Sequence, residues 1–176
     1  VSVLRVLDPA DAEVLSRLWT DHRAHLDPWS PSRPDRFYTV EGQLEVVEAR
    51  LLAMAEGRGA YFVVVEEGGE VVGELNLNDV VRGAFENAHL GYWLAADVQG
   101  RGLMTRAVEE ASVHAFEVLG LHRLQAGTLV HNHRSQAVLE RCGFERFGVA
   151  PQYLRIQGRW QDHVLFQRLA PSAPRL

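Results

Sequence analysis

The residues Gln99-Gly100-Arg101-Gly102-Leu103-Met104-Thr105 lie between an apolar, strand-like stretch, His89 to Ala96, and a helix-like one, Thr105 to Leu119. Their chemistry is that of an anion cradle. Two glycines let the backbone turn without Cβ clashes, and the N–H groups of a turn that runs into a helix converge on one spot, where the helix dipole also favours negative charge. A pyrophosphate fits such a spot, although a Gly-x-Gly turn before a helix also serves as a plain tight connection. Downstream, Asn132-His133-Arg134-Ser135-Gln136-Ala137-Val138-Leu139-Glu140-Arg141-Cys142-Gly143-Phe144 reads as a short helix that opens on Asn and closes on Gly-Phe.

These two elements, strand-QGRG-helix and then strand-NxxS-helix-GF, resemble in order and spacing the acetyl-CoA-binding core of the GNAT superfamily of N-acetyltransferases. Gly91-Tyr92-Trp93-Leu94 ahead of the cradle, QGRGLM within it, and Gly158-Arg159-Trp160-Gln161-Asp162-His163 near the end are similar to the Rim-type branch, the RimJ/RimL-like protein N-terminal acetyltransferases. The resemblance runs from Leu4 to Leu169. It implies transfer of an acetyl group from acetyl-CoA to a primary amine by direct attack, the acceptor being the N-terminal α-amine of a protein, of the ribosomal-protein type. A small amine (a polyamine, an amino acid conjugate or an antibiotic) fits the same fold and reaction. A non-enzymatic acetyl-CoA-binding module is a third reading.

Acetyl transfer to an amine needs a held thioester, a neutral amine, a donor for the developing oxyanion and a proton for the leaving thiolate. In the family the fourth and fifth strands splay apart and the pantetheine arm pairs with the exposed edge of the fourth, which here is Trp93, Leu94 and Ala95. Backbone N–H groups near Leu94 are then expected to polarise the thioester carbonyl. Those of Arg101, Gly102, Leu103 and Met104 are expected to hold the pyrophosphate, with Gln99, Gly100 and Thr105 completing the cofactor-binding run. Met104 stands where a Gly or Ala is usual, a variant the Rim-type branch tolerates.

Leu139 stands where many members carry the Tyr that protonates the thiolate, so another acid is needed. Ser135 matches the serine assigned that role in the RimL-like branch, while Ser and Asn are also favoured at any helix N-terminus. Asn132 is an N-cap or a ligand for a pantetheine amide. For the base, His89 matches the family's Glu on the fourth strand, and an imidazole pKa of about 6.5 suits the role. Glu74, a carboxylate on an otherwise apolar strand, is the alternative, unless it simply faces solvent. Asp27, Asp79 and Glu86 lie in loops that border the acceptor slot. An α-amine, with a pKa of ~8 against ~10.4 for lysine, asks less of any base, so water alone is a further option. Trp29, Tyr38 and Tyr153 are expected to wall the acceptor site, whereas core packing suits Trp160 better. His131 and His133 flank Asn132 at strand spacing, but no third ligand is evident and no metal is expected.

The elements that must position these residues follow from periodicity. Ser2 to Leu7 reads as a strand, and Asp8-Pro9 as a cap and first helical residue before a helix carrying Val14, Leu15, Leu18, Trp19, His22 and Leu26. Prolines 28, 31 and 34 then forbid regular pairing. A second helix is expected over about 40–56, with Leu44, Val47, Leu51 and Met54 inward. Residues 60–66 and 71–78 read as a hairpin around Gly68-Gly69, and 89–94 as the next strand. A third helix ends at Gly120, then come a strand over 124–130, a short helix over 135–142, and a closing hairpin of 144–156 with 160–169. The order βααβββαβαββ gives an α/β (α+β) domain over 1–169 with a mixed, largely antiparallel sheet, and residues 170–176 are expected to fray.

The chain has 176 residues, enough for one core, and no stretch of roughly 18–20 apolar residues or signal-peptide pattern, so a cytoplasmic enzyme is expected. Cys142 is the sole cysteine, which leaves no intrachain disulfide and no multi-cysteine metal site. All 18 basic residues are arginine, which excludes a lysine-dependent phosphate loop and Schiff-base chemistry. With a formal net charge of -5 and scattered arginines, a nucleic-acid stripe is not expected and a cationic acceptor is favoured. The apolar closing hairpin offers a surface for a homodimer.

Overall fold

The computed structural model describes residues 2–171. Strand β1 (Leu4–Val6) leads into a 3-10 turn at Pro9–Asp11, where Asp8 accepts from the Ala10 N–H at 2.9 Å and Asp11 accepts from the Asp8 N–H at 2.9 Å. This reciprocal cap starts helix α1 (Ala12–Asp21), which buries Leu15, Leu18 and Trp19. The helix expected to run through Leu26 instead breaks at His22, and a separate turn α2 (Arg23–Leu26) follows. His22 Nδ1 accepts the Ala96 N–H at 3.3 Å, so the break is tied to the far end of the sheet. Helix α3 (Val40–Ala55) is capped by Thr39, whose hydroxyl accepts the Gly42 N–H at 3.1 Å. Val47 is fully buried on it, and Leu51 and Met54 pack against the same core.

Strands β2 (Ala60–Val65), β3 (Val71–Val81) and β4 (Asn87–Leu94) follow as an antiparallel meander. Helix α4 (Leu103–Val113) widens into a π turn over His114–Val118, and Gly120 turns the chain at φ +63°. Strand β5 (Arg123–Leu129), helix α5 (His133–Arg141) and the hairpin β6 (Glu145–Ile156) with β7 (Arg159–Leu169) complete the fold. The sheet has seven strands in the order β1-β2-β3-β4-β5-β7-β6. The expected βααβββαβαββ order is present, with α2 an extra turn split from α1.

Every neighbouring pair is antiparallel except β4 with β5, and that parallel pair has only three rungs: Asn87 with Arg123, Ala88 with Leu124, His89 with Gln125. Beyond them the two strands diverge. Side chains alternate across β4, so Tyr92 reaches toward α5 on one face while Trp93 packs on Trp19 of α1 on the other. Ala170, expected to fray, donates its N–H to the His122 carbonyl at 2.9 Å, and 172–176 lie outside the described residues. Trp160, expected in the core, is 60% exposed at the second position of β7. Among the described residues, no helix is long and apolar enough to cross a membrane.

Candidate active site

Where β4 and β5 part, a cavity of about 940 Å³ opens, and it continues to the start of α4. The Ala95 N–H donates to the Val72 carbonyl at 2.9 Å, so strand alternation sends the N–H groups of Tyr92 and Leu94 to the opposite edge, into the opening left by β5. At the other end Gly102 is the N-cap of α4 at φ +75° and contributes no side-chain cap, which leaves the first-turn N–H groups as open donors. Only glycine adopts that φ without strain. Of the expected cofactor residues, Trp93, Leu94, Gln99, Gly100, Gly102, Leu103, Met104, Thr105, Asn132 and Ser135 line the cavity. Ala95 and Arg101 lie off its lining; the Arg101 guanidinium is turned to Glu66 at 3.2 Å and to the Asp97 carbonyl at 3.0 Å.

Helix α5 lays one face along the cavity: Arg134, Ser135, Ala137, Val138 and Arg141 all line it. Asn132 Oδ1 accepts the Ser135 N–H at 3.2 Å, which fixes the start of this helix. The Ser135 hydroxyl lies 2.8 Å from the Tyr92 hydroxyl. Burial pushes the Tyr92 phenol above the usual tyrosine range, against a smaller downward pull from its bond to Ser135. Leu139, one turn further along α5, is fully buried in the core. Tyr92 was quoted within its strand motif but was given no role, because its partner Ser135 lies 43 residues on. His25 lines the cavity as well and carried no sequence signal at all. Burial, then the nearby His22 and Arg134, hold its imidazole below the usual histidine value. Its ring meets the Gln99 amide, whose oxygen accepts from Arg134 at 3.1 Å, so α2 and α5 are linked across the cavity mouth.

The opposite face of the sheet is built from side chains. Glu74 is 1% exposed; one carboxylate oxygen is ion-paired with Arg50 and the other accepts the Trp93 indole N–H at 2.8 Å. Trp93 in turn packs on Trp19 at 4.8 Å, and Trp19 on Phe37 at 5.1 Å. Neither Glu74 nor His89 lines the cavity. His89 occupies the last rung before the strands part, with Nδ1 4.0 Å from the Asp79 carboxylate. Trp29 does line the cavity and stacks on His131 at 5.4 Å. Tyr38 donates to Asp27 at 3.2 Å beneath the Arg23 guanidinium, and Tyr153 packs on His163 at 5.6 Å, both outside the cavity lining. The structure therefore brings Ser135, Trp93 and Trp29 to one cavity and leaves His89, Glu74, Tyr38 and Tyr153 around it.

The model of the acetyltransferase (GNAT) domain matches residues 2–145 of the chain. The protein is a GNAT acetyltransferase. It is 35% identical over 175 residues to the [ribosomal protein uS5]-alanine N-acetyltransferase of Escherichia coli K12, covering 97% of this chain and 88% of that one. It is 34% identical to the probable N-acetyltransferase YjcK of Bacillus subtilis 168, over 96% of this chain and 94% of that one. Among solved structures it resembles Mycobacterium smegmatis RimJ in complex with CoA-disulfide, with a TM-score of 0.92 and 32% identity over 98% of this chain and 83% of that chain. The diverging strands and uncapped α4 give this GNAT enzyme both features that an extended thioester with a pyrophosphate requires. Among its described residues no three His, Cys, Asp or Glu side chains cluster as a metal site would need.

Proposed function

We propose that the protein moves the acetyl group of acetyl-CoA to the N-terminal α-amine of a protein, the ribosomal-protein type being the acceptor class that its relatives' names favour. The observation that carries the reading is the continuity of one cavity from the opened edge of β4 to the start of α4. The first-turn N–H groups of α4 would bind the pyrophosphate, and the Leu94 N–H would donate to the thioester oxygen as charge develops on it. Trp93, fixed by Glu74 and Trp19, forms the wall along which the amine approaches.

The amine nitrogen attacks the carbonyl carbon, the carbon–sulfur bond breaks with its electron pair on sulfur, and Ser135 supplies the proton that the sulfur takes up. Solvent carries away the proton that the amine sheds. His89 and Glu74 stand off the cavity, and an α-amine with a pKa of ~8 is already partly neutral near pH 7.

The test is thiol release from acetyl-CoA with peptides copying ribosomal-protein N-termini, with polyamines and with aminoglycosides. Turnover is expected on peptides, with kcat lowered about 100-fold in Ser135→Ala and acetyl-CoA affinity kept. Turnover confined to a polyamine or an aminoglycoside would replace the protein acceptor with a small amine.

A further inference from the structure

The family's usual tyrosine on α5 is absent here, since Leu139 fills that position and is wholly buried. A tyrosine hydroxyl nevertheless reaches the reacting region from another element. Tyr92 comes up from β4, its hydroxyl 2.8 Å from Ser135 Oγ and 3.2 Å from the Ser135 carbonyl oxygen, and both residues line the cavity. Resting on the reading that Ser135 is the acid, we propose that Tyr92 is its positioning residue: by donating to Ser135 Oγ, it turns the serine's own proton toward the sulfur.

The number of protons available decides which way the 2.8 Å bond must run. A serine hydroxyl has one proton and two acceptor lone pairs, and a tyrosine hydroxyl has one proton. If Ser135 donated to Tyr92, nothing would be left for the thiolate. The Tyr92 proton has two acceptors, Ser135 Oγ at 2.8 Å and the Ser135 carbonyl at 3.2 Å; with the shorter bond taking it, the Ser135 proton is free to point into the cavity, while Asn132 holds the serine backbone through the 3.2 Å bond to its N–H. As the carbon–sulfur bond breaks and the pair settles on sulfur, the Ser135 proton moves to it. The negative charge then gathering on Oγ strengthens the bond from Tyr92. Oγ regains a proton from the one the amine sheds, carried by solvent, so the sum is amine plus thioester giving amide plus thiol. Burial keeps the phenol protonated, so Tyr92 is a donor throughout the working range.

The experiment is a double-mutant cycle on the full chain with Tyr92→Phe, Ser135→Ala and both together, reading kcat and KM on the acceptor peptide and the acetyl-CoA Kd. Tyr92→Phe keeps the ring and removes only the hydroxyl. The expected result is a kcat about tenfold lower with Kd and both KM values within about twofold, and a double variant no slower than Ser135→Ala alone. A Tyr92→Phe enzyme with the parent kcat overturns the inference while leaving Ser135 as the acid. So does a tenfold loss that persists in the Ser135→Ala background, or a loss accompanied by weakened acetyl-CoA binding, because either marks Tyr92 as structural support. Full turnover by Ser135→Ala would remove the serine's role itself, and Tyr92's with it.

Discussion

The two walls proposed above for donor and acceptor are made of different materials. The donor wall, from the β4 edge to the start of α4, is backbone: N–H groups aimed by strand alternation and by a glycine cap at φ +75°. The wall proposed for the acceptor is Trp93, backed off the cavity by a chain of side chains: Glu74 and Arg50 on one side, Trp19 and Phe37 on the other. Backbone geometry tolerates most substitutions and responds to glycine loss. A buried charged network responds to the removal of any member.

The largest effect that would test this contrast is Arg50→Ala. It strands the Glu74 carboxylate in the core with only an indole N–H, at a cost of about 3 kcal/mol. For a chain of this size that is a fall in Tm of roughly 6–12 °C by calorimetry. Melting at the parent temperature would mean that Arg50 does not support the carboxylate.

Gly102→Val probes the donor wall. The space around a Cβ at Gly102 is open, so the penalty is the left-handed backbone alone, about 1–2 kcal/mol. Acetyl-CoA Kd should rise about tenfold while acceptor KM holds, and weakening of both together would erase the division between the walls.

Trp93→Phe is the converse and smaller change. Losing the indole bond to Glu74 should raise acceptor KM about fivefold and leave acetyl-CoA Kd within twofold, measured by steady-state kinetics and titration calorimetry.

The smallest effect is alkaline. Burial, and then the Glu109 charge, push the Cys142 thiol up to about 11, beneath α4. The folded value is raised, so this contribution is complete below the ordinary thiol value of about 8.5. It is lost as pH climbs through about 11, because the unfolded chain ionises first. Tm should therefore decline over that window, less steeply in Cys142→Ala.

The donor wall was legible in the sequence because it rests on local rules. Gly100 and Gly102 mark the turn, the αL cap and the helix start in consecutive residues, and Asn132 marks the next helix as plainly. The acceptor wall was not, since Arg50 and Glu74 lie 24 residues apart on a helix and a strand, and neither carries a local pattern that foretells their pairing. Glu74 therefore read as a base or a solvent-facing residue; it does not face solvent, and its carboxylate holds the Trp93 indole and the Arg50 guanidinium. Tyr92 was quoted within its motif, yet its link to Ser135 spans 43 residues and needs the fold to be seen. The break at His22 was equally invisible, because the amide that its ring accepts from, that of Ala96, lies 74 residues on.

The three-rung pairing of β4 with β5 also acts as a fulcrum. Leu94 lies five residues beyond the last rung at His89, a lever of roughly 16 Å at ~3.3 Å per residue. A rotation of about 3.5° at His89 and Gln125 thus moves the strand tip by about 1 Å. Because β4 stays paired with β3 as far as Leu94 and β5 with β7 as far as Leu129, such a rotation carries each strand's outer neighbour with it, and the width of the opening belongs to the whole sheet.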